Sequence, residues 1–115
     1  MYKTKLNPVQ QLFTASQWNK LLFNSKNNPE GKEDFVPVVK FFNPRGGATW
    51  LLTECDEEGY AFGLCDLGMG FPELGSVSMP ELCDIGYMER DLYFKPKKTL
   101  SAYTEEAREK GRIVA

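Results

Sequence analysis

Ala48-Thr49-Trp50-Leu51-Leu52-Thr53-Glu54-Cys55, then Asp56-Glu57-Glu58-Gly59, then Tyr60-Ala61-Phe62-Gly63-Leu64-Cys65-Asp66-Leu67: this stretch decides the fold. Two runs of β-forming residues with alternating apolar positions flank four turn formers, the pattern of an antiparallel hairpin. A register that pairs Cys55 with Tyr60 sets Cys65 opposite Trp50. Side chains alternate between faces, so Glu54 and Asp66 then fall on opposite sides, and so do the two thiols. A slip of one residue would bring the thiols to one face.

Upstream, Phe35 to Phe42 reads as another strand. Pro37 cannot donate to a ladder, so this strand lies at an edge or begins after it. Asn43-Pro44-Arg45-Gly46-Gly47 is the turn into the hairpin. Downstream, Gly68-Met69-Gly70 breaks the run and Glu73 to Val77 forms a further strand. Ser78 and Glu81 make a capping box for a short helix through about Asp84. Glu89 to Lys95 is a fifth strand, stopped by Pro96.

Helices frame this core. Asn7-Pro8 opens a helical turn through Leu12. Thr14 and Gln17 form a capping box, with Phe13 and Trp18 placed as a hydrophobic staple. Trp18, Leu21 and Leu22 then give a buried stripe, so a helix spans Ala15 to Phe23. Residues 24–32 are polar and rich in breakers. Ser101 caps a last helix to Lys110, with Glu106 and Lys110 paired at i, i+4 and Gly111 as its stop.

The expected fold is α+β. A mainly antiparallel sheet of four to five strands carries the N-terminal helix on one face and short peripheral helices around it. The 115 residues suit one domain: a helical part over 1–34, the sheet core over 35–96, and a C-terminal helix or tail over 97–115. The expected core is Leu12, Phe13, Trp18, Leu21, Leu22, Val39, Phe41, Trp50, Leu52, Phe62, Leu64, Leu82, Leu92 and Phe94.

Composition narrows the chemistry. Apolar residues make up 42% and charged ones 26%, as in an ordinary folded protein. No apolar run approaches the roughly 20 residues a bilayer span needs, so no membrane contact is expected. No apolar segment follows the lysines near the N-terminus, so no signal peptide is read. Cys55, Cys65 and Cys83 are an odd set, expected as reduced thiols in a cytoplasmic protein. Histidine is absent, which removes every imidazole-based mechanism and most zinc and iron sites. No cofactor, metal ligand set or catalytic residue is expected.

Charge is uneven. Residues 1–52 hold seven basic and three acidic residues, residues 53–92 one and ten, and residues 93–115 six and three. Glu54, Asp56, Glu57, Glu58 and Asp66 are the candidate interaction surface, attracting basic partners and repelling nucleic acid. The plainer reading is a solvated turn. As a divalent-metal site the cluster fails the Asp-x-Asp-x-Asp-Gly pattern. Lys95, Lys97, Lys98 and Arg108, near Tyr93, Phe94 and Tyr103, are the candidate nucleic-acid contacts. The sequence pI near 5.2 argues for a solvated tail instead. The glycines after Arg45 could cradle an anion, but the loop leads into a strand where a helix N-terminus is wanted. Glu89, Arg90 and Asp91 read as a salt-bridged strand start.

Five motifs carry a family resemblance: Lys40-Phe41-Phe42-Asn43-Pro44, Ala48 to Glu54, Phe62-Gly63-Leu64, Glu73 to Leu82, and Glu89-Arg90-Asp91-Leu92-Tyr93-Phe94-Lys95-Pro96. The segment resembles a family of small bacterial proteins of unknown function found on plasmids, phages and other mobile elements. The resemblance implies a bacterial cytoplasmic setting and no particular activity. The expectation is therefore a non-enzymatic module that binds another protein through an acidic surface, in its sharpest form by mimicking nucleic acid. A single-stranded nucleic-acid binder using the basic tail is the second reading, and a carboxylate hydrolase using Glu54 and Asp66 the third.

Overall fold

The computed structural model describes residues 12–85 and 87–115. The turn expected from Asn7 lies outside them. Five strands form one antiparallel sheet: β1 (Val39–Phe42), β2 (Thr49–Cys55), β3 (Tyr60–Asp66), β4 (Glu73–Ser78) and β5 (Glu89–Arg90), in the order β4-β3-β2-β1-β5. Among the described residues three helices accompany them: α1 (Ala15–Lys26), α2 (Met79–Ile85) and α3 (Leu100–Lys110). The architecture is α+β.

Local chemistry explains α1. The Thr14 and Gln17 side chains exchange bonds with each other's backbone N–H, as a capping box requires. Phe13 packs on Trp18 and edge-on against Phe41, tying the helix start to β1. Trp18, Leu21 and Leu22 then meet Val39, Phe41, Trp50 and Leu52 in the larger core cluster. The helix runs three residues past Phe23, because Asn27 bonds back to the Phe23 carbonyl and Asn24 finds a partner inside.

That partner exists because the hairpin register slips. Thr49 to Leu52 pair with Asp66 to Gly63 in the expected register, but Glu54 pairs with Phe62 and Cys55 with Ala61. Thr53 is the extra residue of a β-bulge. Asn24, 1% exposed, donates its amide to the Thr53 carbonyl at 2.9 Å. Beside the bulge the strands come too close for any side chain: a Cβ on Gly63 would lie 1.9 Å from the Leu51 carbonyl oxygen. Cys55 consequently joins Trp50 and Leu52 on the α1 face. The two thiols share a face, contrary to the unslipped register, and Glu54 shares the Phe62 face with Asp66.

The second face is also covered. Leu51 and Leu64 pack beneath Leu100, Tyr103, Ala107 and Ile113, with Phe94 alongside. Distant residues secure α3: Phe35 accepts from the Leu100 N–H, and Asp34 accepts from the Ser101 N–H and hydroxyl. The Ser101 hydroxyl bond holds the Asp34 carboxyl below its ordinary range. Asp34 and Phe35 therefore serve α3, and bonding to β2 starts after Pro37, with the Val38 N–H donating to the Leu52 carbonyl, as the missing donor requires. Glu106 pairs with Lys98 at 2.6 Å, not with Lys110.

Two expected core residues lie outside. Phe62 is 37% exposed, because it sits beyond the reach of α3 on the second face. Leu92 is 72% exposed, because β5 ends at Arg90. Asp91 turns the chain there: its carboxylate accepts from the Tyr93 N–H and is held by Lys40 at 3.4 Å.

The Gly63 contact gives a direct test. Gly63→Ala should cost about 1–3 kcal/mol in urea unfolding, since a backbone group must move. Gly75→Ala, where nothing lies within 4 Å of the added carbon, should stay within about 0.5 kcal/mol. Equal effects at both positions would contradict the close approach.

Candidate functional site

Asp66 is buried away from the other acidic residues of the hairpin, of which Asp56, Glu57 and Glu58 line one pocket with Lys26. Asp56 spends its carboxylate on the N–H groups of Glu58 and Tyr60, fixing the turn. Glu54 accepts from the Asn28 side chain at 2.7 Å. Glu57 lies 3.5 Å from Lys26 in an exposed pair, and Glu58 is exposed. Asp66 is 2% exposed. Its two oxygens accept from the Gly68 N–H at 2.8 Å and the Ile113 N–H at 3.0 Å, clamping the segment after α3 to the end of β3. Glu54 and Asp66 share a face, yet Glu54 is opposite Phe62, four residues from Asp66 along β3, or about 13 Å.

The basic residues differ in their surroundings. Lys95 and Lys97 are exposed. Lys98 pairs with Glu106 and lies 5.1 Å from the Tyr103 ring centre. Arg108 sits apart from them, beside β4. Arg45, in the β1–β2 turn, stacks 4.4 Å over Tyr87. Burial pushes the Cys55 thiol up to about 12, helped by the Asp56 charge, and the Cys65 thiol to about 11. Both shifts disfavour the thiolate that a nucleophile needs. Among the described residues no three His, Cys, Asp or Glu side chains group as a metal site.

What the structure does assemble is apolar. Tyr60 and Phe62 on β3 and Leu74 on β4 share the second sheet face, at the side α3 leaves open. The connecting loop adds Leu67, Met69 and Phe71, all exposed. Gly68 shapes this loop at φ 82°, and a Cβ there would lie 3.1 Å from the Gly47 α-carbon, a tight contact. Next to the loop runs a groove between β4 and α3. One part, about 390 Å³, has Phe71, Glu73, Leu74 and Arg108 in its walls. The adjoining part, about 640 Å³, shares Leu74 and Arg108 and adds Glu105 and Glu109. Sequence reading missed this site. Its only local signal is the run of apolar residues between glycines at 67–71, which resembles a plain loop.

A family model for proteins of unknown function, DUF2958, matches residues 12–114. The chain belongs to the DUF2958 family. The matched span holds α1, the whole sheet and α3, so the groove and both helix layers lie within the DUF2958 unit. No curated protein and no solved structure matches the chain. Among the described residues no helix is long and apolar enough to cross a membrane.

The clamp at Asp66 generates a prediction. Asp66→Ala strands two backbone N–H groups and should cost about 2–4 kcal/mol in urea unfolding. Amide exchange at 112–114 should accelerate as well. Glu58→Ala should stay within about 0.5 kcal/mol. An Asp66→Ala effect as small as that of Glu58→Ala would contradict the clamp.

Proposed function

We propose that this chain is a non-enzymatic protein-interaction module that works through its β3–β4 arm. One observation carries the reading. Of the eleven large apolar side chains exposed among the described residues, six (Tyr60, Phe62, Leu67, Met69, Phe71 and Leu74) belong to this arm. Concentrated apolar exposure of this kind typifies docking surfaces. The groove beside it supplies polar and charged neighbours for specificity. The favoured partner is a protein whose docking segment is apolar and basic, since three glutamates and one arginine line the groove.

The other readings have less support. A carboxylate hydrolase needs two acids converging in one pocket, whereas Asp66 is buried under two amides far along the strand from Glu54. A nucleic-acid surface needs clustered free cations, whereas Lys98 is paired and Arg108 lies among glutamates. A nucleic-acid mimic needs one continuous acidic face, whereas Glu73 pairs across from Cys65 at the end of β3 opposite the Asp56–Gly59 turn. The bacterial cytoplasmic and mobile-element setting implied by the sequence resemblance fits an accessory protein that binds a host or element-encoded protein.

Photo-crosslinking tests the reading. A benzoylphenylalanine at position 62 or 71, expressed in the native host, should capture one common protein. The same probe at the exposed positions 23 and 93 should not. The purified partner should bind the wild-type chain, and Phe71→Ser should weaken that binding at least about tenfold, the scale of a buried aromatic anchor. Equal capture from position 93, or affinity unchanged by Phe71→Ser, would overturn the proposal.

A further inference from the structure

We infer that the open edge of β4 receives an extended segment of the partner, mixed apolar and basic, as an added sixth strand lying in the groove beside α3. This deepens the proposed function and rests on it: the β3–β4 arm is the docking surface, and the added strand is what docks there.

The edge comes first. Among the described residues, the sheet order leaves β4 with a single neighbour. Asp56 donates its N–H to the Tyr60 carbonyl on one side of β3, and Met79 donates to the Gly59 carbonyl on the other. Bonded pairs alternate along an antiparallel ladder. Ala61, Gly63 and Cys65 therefore bond to Val77, Gly75 and Glu73. The backbone N–H and C=O groups of Leu74, Ser76 and Ser78 point the other way, out of the sheet. Folded proteins usually blunt such an edge with lysine, proline or a bulge. Here six consecutive pairs run in unbroken register, and Pro72 and Pro80 stand outside the strand. The opposite edge, β5, is only two residues long and offers little template.

The groove adds a floor and walls. Leu74 belongs to both parts of it, Phe71 stands at one end, 79% exposed, and α3 forms the far side. A strand laid along β4 gains backbone bonds from the edge and side-chain contacts from Leu74 and Phe71, the arrangement of β-augmentation.

Charge selects the occupant. Glu73, Glu105 and Glu109 outnumber Arg108, which has no ion-pair partner among the described residues. A second copy paired edge to edge would set one net-negative rim against another, and like charges facing each other cost affinity. A segment with valine-like and lysine-like residues on each face complements both features. The apolar residues meet Leu74, and the cations meet Glu105 and Glu109 on one side and Glu73 on the other.

Peptide titration with amide exchange tests this. The probe is an acetylated, amidated octapeptide of two Val-Val-Lys-Lys units, which places one valine and then one lysine on each strand face. It should bind at least tenfold tighter than the Val-Val-Glu-Glu and Ser-Ser-Lys-Lys counterparts. In the complex, exchange of the Leu74 and Ser76 amides should slow at least tenfold. N-methylating alternate residues of the peptide, in one of the two phases, should abolish binding. The surface double variant Glu105→Gln, Glu109→Gln should weaken it several-fold. No binding, equal binding of Ser-Ser-Lys-Lys, or binding that leaves those amides unprotected would overturn the inference. So would a dimer of the free chain that Ser76→Pro dissociates. Capture of a partner from Phe71 with those amides unprotected would sink the added strand and leave the module reading standing.

Discussion

Between Leu52 and Glu54 the β2–β3 ladder slips by one position, and Thr53 has no counterpart on β3. The slip rotates everything after it. Cys55 turns inward to the α1 face, and Glu54 turns to the face that carries Phe62. A bulge leaves backbone groups unpaired, and an unpaired buried carbonyl is costly. Asn24 removes that cost by donating from α1 to the Thr53 carbonyl. Gly63 makes the slip sterically feasible by letting β2 approach its backbone. Helix position, strand register and the surface near the hairpin are thus coupled through three residues that are far apart in the chain.

The second layer depends on similarly long-range bonds. α3 has a modest apolar face, with Leu100, Tyr103 and Ala107 buried. Its N-terminal amides are satisfied by Asp34 and Phe35, and the segment after it is held by Asp66. Each of these bonds joins residues far apart in the chain. A helix secured at both ends can cover the middle of a sheet without covering its margin. The uncovered margin is where Phe62, Leu74 and the edge of β4 meet solvent.

Much of the fold was legible because its signals are local. The capping box at Thr14, the turn at Asp56–Gly59 and the strands on either side of it rest on neighbouring residues. The bulge was not legible, since Leu52-Thr53-Glu54 contains no glycine or proline to announce it. The end of β5 was masked by Leu92, Tyr93 and Phe94, strong strand formers that the Asp91 turn overrides. The acidic residues stood out in the sequence as a charge cluster, yet their roles are set by distant amides. Asp66 answers to Ile113, and Asp34, which drew no notice, answers to Ser101. The groove was invisible because it joins Phe71 and Leu74 to Arg108 through tertiary packing alone.

The slipped register underlies both layers, and cross-strand nuclear Overhauser contacts between α-protons report it directly. Bonding between Asp56 and Tyr60 makes Cys55 and Ala61 a non-bonded pair, whose α-protons approach most closely. A strong contact between the α-protons of Cys55 and Ala61 is the predicted result. A contact between Cys55 and Tyr60 in its place would mean an unslipped hairpin and would contradict the account.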